Sequence, residues 1–397
     1  MMKKTIKDVN LKNKRVIVRV DFNVPLDANL NITDDTRIRE TLPTINYLKR
    51  ESAKIILMSH LGRPKSKPEE KYSMKPCAKR LSELLKQEVK MAPGCIDPET
   101  KKLAMNLQSG EILLLENLRF NEGEEKNDPN FANELASMAE VFVQDAFGTV
   151  HRAHASTAGI AKYLPSCAGF LLEKEIVYFS KALENPEKSY VAILGGAKVS
   201  DKIMVIENLL NKVDALIIGG AMAYTFLKAK GISIGNSLVE QEKVDIAAKI
   251  LKKADDKNIN LFVPIDHIIT TKIDGSAESK ETAGVEIPDG WIGVDIGKMT
   301  IERISSVILS AKTIVWNGPM GVFEVDKFAN GTLQIAKLIA QATAKGAISI
   351  VGGGDSVAAV KKMGLSDKMS HISTGGGASL ELLEGKILPG IAVLPEK

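Results

Sequence analysis

The sequence predicts an α/β protein of two domains built on parallel sheets, and three observations carry that prediction. Short runs rich in β-branched residues recur along all 397 residues, separated by stretches with helical periodicity or turn residues, the signature of βαβ units. The runs are apolar without alternation, as strands covered by helices on both faces are. At roughly 150 residues per domain the length corresponds to two to three domains, and one amphipathic segment over 171–183 separates the runs into two sets.

In the first set strands are expected at 15–20, 54–58, 112–115 and 141–144, and in the second at 190–194, 215–218, 261–265, 313–316, 347–351 and 371–373. Between the sets, Leu171, Leu172, Ile176, Val177, Phe179 and Leu183 stand among charges and are followed by Pro186, which reads as an amphipathic helix ended by a proline. The junction is placed there: a first domain over 1–170, a hinge helix over 171–186 and a second domain over 187–384. After Gly385 the tail, with Ile387, Leu388 and Pro389, is apolar enough to pack, and the pattern leaves open against which domain.

Hydrophobic residues make up 44% and charged residues 26% of the chain, which excludes disorder as the dominant state. Lys plus Arg (53) against Asp plus Glu (49) leaves +4, too little for a whole-chain field that recruits nucleic acid or an anionic membrane. Cys77, Cys95 and Cys167 form no Cys-x-x-Cys and have no His pair to complete a zinc set; they read as reduced and structural. No apolar run approaches the roughly 18 residues of a membrane span, and the start lacks the apolar stretch of a signal peptide. A soluble cytoplasmic enzyme is the expected class.

In open α/β sheets ligands bind beyond the carboxyl ends of the strands, so the residues that follow each strand matter most. In the first domain these are Asp21-Phe22-Asn23, Ser59-His60-Leu61-Gly62-Arg63, Glu116-Asn117-Leu118-Arg119 and Asp145-Ala146-Phe147-Gly148, the last leading to His151, Arg152 and His154. Arg37 and Arg39, from the loop after the first strand, bring the gathering to five arginines and three histidines. Any one of these arginines fits a surface ion pair equally well. Their repetition at successive strand ends points to a multiply charged small anion, which the two-pronged guanidinium fork suits. A tight cluster lacks the extended basic stripe and interleaved aromatics of a nucleic-acid groove.

The second domain ends its strands differently: Gly195-Gly196-Ala197-Lys198, Gly219-Gly220-Ala221, Asn317-Gly318-Pro319, Gly352-Gly353-Gly354-Asp355-Ser356 and Thr374-Gly375-Gly376-Gly377. Glycines that lead into helices let backbone N–H groups approach phosphate oxygens at the positive end of the helix dipole. Five such ends in one domain read as a nucleotide site, where one Gly-Gly pair would be an ordinary turn. The Walker-type loop and the Gly-x-Gly-x-x-Gly fingerprint are both absent, which removes P-loop, dinucleotide and protein-kinase readings. Gly231-Ile232-Ser233-Ile234-Gly235 matches a hydrolase nucleophile elbow, but it follows a helical stretch where the elbow needs a strand. Lys198 and Lys202, four apart at the expected start of a helix, share a face and aim at the same phosphates. Asp355 is either a magnesium carboxylate or an N-cap, and Glu324 a partner for a ribose hydroxyl. His267 and His371 are assigned packing or surface roles.

These residues resemble the phosphoglycerate kinase family. The substrate-side likeness lies in residues 19–25, 59–64, 115–120 and 145–149, and the nucleotide-side likeness in 195–202, 315–319 and 352–355, in order along about 5–395. The resemblance implies two Rossmann-like domains, a tail over 385–397 that returns to the first of them, a monomer, and reversible phosphoryl transfer between 1,3-bisphosphoglycerate and Mg-ADP. It assigns Asp21, Asn23, Arg37, His60, Arg63, Arg119 and Arg152 to the phosphoglycerate. Lys198, Lys202, Gly293, Asn317, Glu324, Gly353, Gly354, Asp355 and Ser356 go to the nucleotide, with Asp355 on magnesium. Ser356 stands where many members have threonine, and Ala221 where a third glycine is frequent.

Phosphoryl transfer needs positioning and positive charge rather than covalent chemistry. Arg37, Lys198 and Lys202 are the expected catalytic cations, no general base is needed, and the two domains are expected to close over the reactants and exclude water. A dehydrogenase is disfavoured by the missing glycine fingerprint. A non-catalytic sugar-phosphate or nucleotide sensor would keep both sites without needing the paired lysines beside Asp355.

Overall fold

The strand Arg15–Arg19 (β1) sends Val16 and Val18 into one buried apolar cluster and Ile17 into another. Its neighbour Lys54–Met58 (β2) and, beyond it, Ile112–Leu114 (β4) divide in the same way, with Ile55, Leu57, Ile112 and Leu114 on one side and Ile56, Met58 and Leu113 on the other. Both faces of the sheet are therefore covered, which explains the runs without alternation. With Val89–Met91 (β3), Val141–Gln144 (β5) and Ser166–Ala168 (β6), the strands form a parallel sheet in the order β3-β4-β2-β1-β5-β6.

The computed structural model describes residues 2–397 and divides into two units, the first holding the chain up to Val177 together with Ile387–Lys397, the second Tyr178–Lys386. The division falls inside the helix Phe170–Leu183. That helix starts on a buried carboxylate: Asp145 Oδ1 accepts the N–H groups of Leu171 (2.9 Å) and Leu172 (3.2 Å), and burial pushes Asp145 up to about 7. The last segment closes the first unit. Lys4 N–H donates to Pro395 O (2.9 Å), Lys3 Nζ to Leu394 O (2.8 Å), and Gly390 N–H to Val150 O (2.8 Å).

In the second unit Tyr190–Leu194 (β7), Ala215–Ile218 (β8), Asn260–Phe262 (β9), Thr313–Asn317 (β13), Ile348–Gly352 (β14) and His371–Ile372 (β15) form a parallel sheet in the order β15-β14-β13-β7-β8-β9. The chain builds outward from β7 to β8 and β9, then returns to place β13 on its other side, so the order reverses between β7 and β13. Between β9 and β13 lies a small antiparallel sheet of His267–Thr270 (β10), Ser279–Glu281 (β11) and Ile292–Ile296 (β12), ordered β11-β10-β12.

Several boundaries differ from expectation for identifiable reasons. The run 261–265 stops pairing at Phe262, ahead of Pro264, which has no N–H for a ladder. The strand expected at 313–316 extends to Asn317, and the one at 347–351 shifts to Ile348–Gly352. β3 and β6, Val-Lys-Met and Ser-Cys-Ala, are short and carry no apolar run rich in β-branched residues, so neither shows in the sequence. All three cysteines are free and buried, with Cys77 and Cys167 pushed up to about 12 by that burial. Among the described residues no helix is long and apolar enough to cross a membrane.

Candidate active site

In the first unit the strand order reverses between β1 and β5, the place where a parallel sheet opens a crevice at its carboxyl end. Asp21, just past β1, is buried and its Oδ2 accepts from Arg37 Nη1 (2.9 Å), which also donates to the Asn23 carbonyl (3.2 Å). Asn23 Oδ1 accepts the Gly62 N–H (2.8 Å), and Arg119 Nη1 donates to the Gly62 carbonyl (2.8 Å). The loops after β1, β2 and β4 are thus tied together by the same side chains that the sequence singled out. Asn117 sets the last of them: its Nδ2 donates to the carbonyls of Leu61 (2.7 Å) and Tyr72 (2.9 Å), and its Oδ1 accepts from Arg119 N–H (3.0 Å).

Electrostatically this end of the sheet is a concentration of positive charge around a buried imidazole. Burial, then the guanidiniums of Arg19, Arg119, Arg37 and Arg152, hold His60 well below its ordinary 6.5, so it is neutral. His154 is lowered to about 4 by burial and the same kind of neighbours. Arg152 Nε lies 3.2 Å from His151 Nε2, and Arg63 is exposed.

Two expectations fail here. Arg37 and Arg39 lie on the helix Thr36–Arg50, not in a loop. Two residues apart on a helix they diverge by about 200°, and Arg39 pairs instead with Asp35 (2.8 Å) with half its side chain exposed. Arg19 is the residue the sequence reading missed: it lies within the β1 run and is fully buried, yet it charges the site from below.

In the second unit the reversal point lies between β7 and β13, and glycine lets the two strand ends touch. Gly195 N–H donates to Asn317 O (3.0 Å) and Gly196 N–H to Pro319 O (3.1 Å). A Cβ on Gly195 would sit 2.0 Å from Pro319 O, and one on Gly318 2.2 Å from Gly195 O. The ends at 219–221 and 352–356 join at the same place: Met222 N–H donates to Gly196 O (3.0 Å), Gly220 N–H to Met320 O (3.0 Å), and Gly318 N–H to Ser356 Oγ (2.6 Å). Gly353, at φ +88°, caps the helix Gly354–Lys362.

Lys202 is buried, and its ammonium donates to Asn317 Oδ1. Burial lowers it to about 8, with Asp201 and Asp355 working the other way. Asn317 is itself buried, and its Nδ2 has no hydrogen-bond partner, an exception to the rule that buried polar atoms are paired. A Cβ on Gly353 would come within 3.2 Å of that nitrogen.

The shared helix face for Lys198 and Lys202 is not formed. Residues 197–202 make a turn, the helix begins at Ile203, and Lys198 is exposed while Lys202 is buried. The N-cap alternative for Asp355 also falls, because Gly353 is the cap and Asp355 stands exposed in the first turn. Gly293 lies on β12 with its N–H on Ser237 Oγ (2.9 Å), and its missing Cβ leaves room for the Tyr224 hydroxyl. Glu324 is exposed in the turn that follows Phe323.

The family model described as phosphoglycerate kinase matches residues 6–386. The chain belongs to the phosphoglycerate kinase family. A phosphoglycerate kinase from Chlorobium phaeobacteroides is 58% identical over 395 residues, 99% of this chain and 100% of that protein. A Nicotiana tabacum protein named phosphoglycerate kinase, cytosolic, is 57% identical over 393 residues, 99% of this chain and 98% of its own. The solved phosphoglycerate kinase of Coxiella burnetii superposes with a TM-score of 0.90 at 44% identity, covering 98% of each chain. The chain is thus an enzyme of glycolysis, a kinase that moves a phosphoryl group reversibly between 1,3-bisphosphoglycerate and ADP. Nothing in these comparisons supports a non-catalytic sensor or a dehydrogenase.

Phosphoglycerate kinases use magnesium with the nucleotide, and the donor set of the second unit fits an ion that arrives that way. Among the described residues no three His, Cys, Asp or Glu side chains converge to cage a metal. Asp355 offers a single carboxylate, enough where phosphates and water complete the coordination of Mg2+.

Proposed function

We propose that the carboxyl end of the first sheet holds 3-phosphoglycerate or 1,3-bisphosphoglycerate through Asp21, Asn23, Arg37, His60, Arg63, Arg119 and Arg152. The carboxyl end of the second holds Mg-ADP or Mg-ATP through Lys198, Lys202, Gly293, Asn317, Glu324, Gly353, Gly354, Asp355 and Ser356, with Asp355 on the magnesium. The observation that carries this reading is Asn317: a buried amide donor without a protein partner, beside a buried ammonium and a glycine-capped helix start. A phosphate oxygen would satisfy all three.

With ATP as donor, a carboxylate oxygen of 3-phosphoglycerate attacks the γ-phosphorus. The bond from that phosphorus to the bridging oxygen breaks, and ADP leaves with the electron pair. In reverse, a β-phosphate oxygen of ADP attacks the acyl phosphate. Neither nucleophile has a proton to lose, so no general base is required. Arg37 and Lys198 offset charge on the moving phosphoryl and Lys202 holds the nucleotide phosphates; magnesium, when bound, neutralises phosphate charge. Because the two ligand sets lie on different units, the units are expected to close over the reactants, which also keeps water from the acyl phosphate. The enzyme acts as a cytoplasmic monomer on small molecules, a reading supported by family resemblance and by the cytosolic relative.

The test is kinetic. Arg37→Ala and Lys198→Ala are each expected to lower kcat by about a hundredfold or more while KM moves a few fold, as for interactions made chiefly in the transition state. A change confined to KM would sink those two roles.

A further inference from the structure

Arg19, the last residue of β1, is 1% exposed although its charge is permanent. Its Nε–H donates to Ser156 Oγ (2.9 Å), Nη1 donates to the Val20 carbonyl, and Nη2 lies 3.1 Å from Nδ1 of His60. Guanidinium nitrogens only donate. The His60 nitrogen that faces Arg19 is therefore an acceptor, and the ring proton belongs on Nε2. The charge of Arg19 is matched within the same unit. Ser156 Oγ–H donates to Glu124 Oε1 (2.6 Å), Ser156 N–H donates to Oε2 (3.0 Å), and Glu124 is fully buried. A buried ionic chain of this kind is a poor device for stability, since apolar residues of equal volume serve as well or better; what it fixes is the orientation of a donor.

We propose that Arg19 is a positioning residue that locks His60 in the neutral Nε2–H tautomer, so that His60 donates a hydrogen bond to the anionic three-carbon substrate while the other arginines supply charge. The proposal rests on the reading of His60 as a substrate ligand. The charges that act on His60 are all guanidiniums: Arg19 from β1, in direct contact, and more remotely Arg119 from the turn after β4, Arg37 from the helix Thr36–Arg50 and Arg152 from the loop after β5. The carboxylates of the region are engaged elsewhere, Asp21 with Arg37 and Glu124 with Ser156. His60 is thus a donor that takes no second proton near neutrality, which makes its contribution to anion binding independent of pH there.

Long-range proton–nitrogen spectra of the full chain carrying 15N-histidine read the tautomer directly. Expected for His60 in the unliganded protein is a protonated Nε2 and a bare Nδ1, unchanged from about pH 5.5 to about 8.5, with 3-phosphoglycerate then shifting Nε2 alone. An Nδ1–H tautomer, or protonation of both nitrogens in that range, overturns the proposal. The expected tautomer without any response to 3-phosphoglycerate overturns the donor role and, separately, the placing of His60 in the substrate site. Arg19→Lys, which keeps the charge but loses the fork, is expected to let the Nδ1–H tautomer of His60 populate and to raise KM for 3-phosphoglycerate about tenfold with kcat within about twofold. An unchanged KM in a variant whose His60 has changed tautomer overturns the coupling, and if this variant does not fold the native spectrum decides.

Discussion

Lys202 shows how a single residue can be set against the stability of its own fold. Its folded value of about 8 lies below the ordinary 10.5, so the folded state resists holding the proton. The resulting penalty is absent above about pH 10.5, grows as pH falls from there towards about 8, and is complete below that at no more than on the order of 3 kcal/mol. A nucleotide phosphate would remove it. Lys202→Met is therefore expected to raise the urea midpoint of the ligand-free protein, by about 1–3 kcal/mol in unfolding free energy, while turnover collapses; a less stable variant would contradict this account. In the native enzyme KM for ADP is expected to rise as pH climbs past about 8, and a flat profile from about pH 7 to about 9 would do the same. Asp21, Asn23, His60 and Arg119 were legible in the sequence as neighbours because each follows a strand, and strand ends in a parallel sheet share one edge. Arg19 was not, because a charge inside an apolar run reads as the end of a strand in solvent, and only the fold shows it buried against His60. Arg39 was misplaced because the phase of a helix decides which side a residue joins.

Among the elements, the parallel strands built on apolar runs rich in β-branched residues announce themselves, whereas Ser166–Ala168, without a β-branched residue, and the small antiparallel sheet, interrupted by Gly293 and Asp295, do not. Local pattern also failed between β7 and the helix that follows: the four-residue spacing of Lys198 and Lys202 suggests a helix face, but buried Val199 closes a turn there, with Lys202 N–H on its carbonyl (2.9 Å). The contact between the ends of β7 and β13 yields a sharper expectation. Gly195→Ala puts a Cβ 2.0 Å from Pro319 O, a backbone atom that cannot swing aside. The variant is expected to lose about 2–3 kcal/mol of stability and to raise KM for the nucleotide, with KM for 3-phosphoglycerate unaffected. Equal effects on both substrates would show that the strand-end contact does not belong to the nucleotide site.

For the molecule as a whole, closure is expected to appear in small-angle scattering as a smaller radius of gyration when both substrates are bound than with neither; an unchanged value would count against it. The two units are also expected to unfold separately. A Cβ on Gly390 would meet Val150 Cα at 2.9 Å, so Gly390→Val is expected to lift the last segment from the first unit at a cost of about 1–3 kcal/mol. Both tryptophans, Trp291 and Trp316, lie in the second unit. Their fluorescence midpoint in urea and the calorimetric affinity for ADP should therefore hold while the circular-dichroism midpoint falls, and coincident shifts would show the units to be one cooperative body.

The same closing segment has a consequence for biosynthesis. Residues 387–397 complete the first unit but follow the whole second unit in the chain. On the ribosome, the piece that covers Val150 and pairs with Lys3 and Lys4 is made last. The amino-terminal half emerges first and is finished second, so for the length of more than two hundred intervening codons (residues 178–386) a nascent chain carries an unsealed patch that chaperones can read.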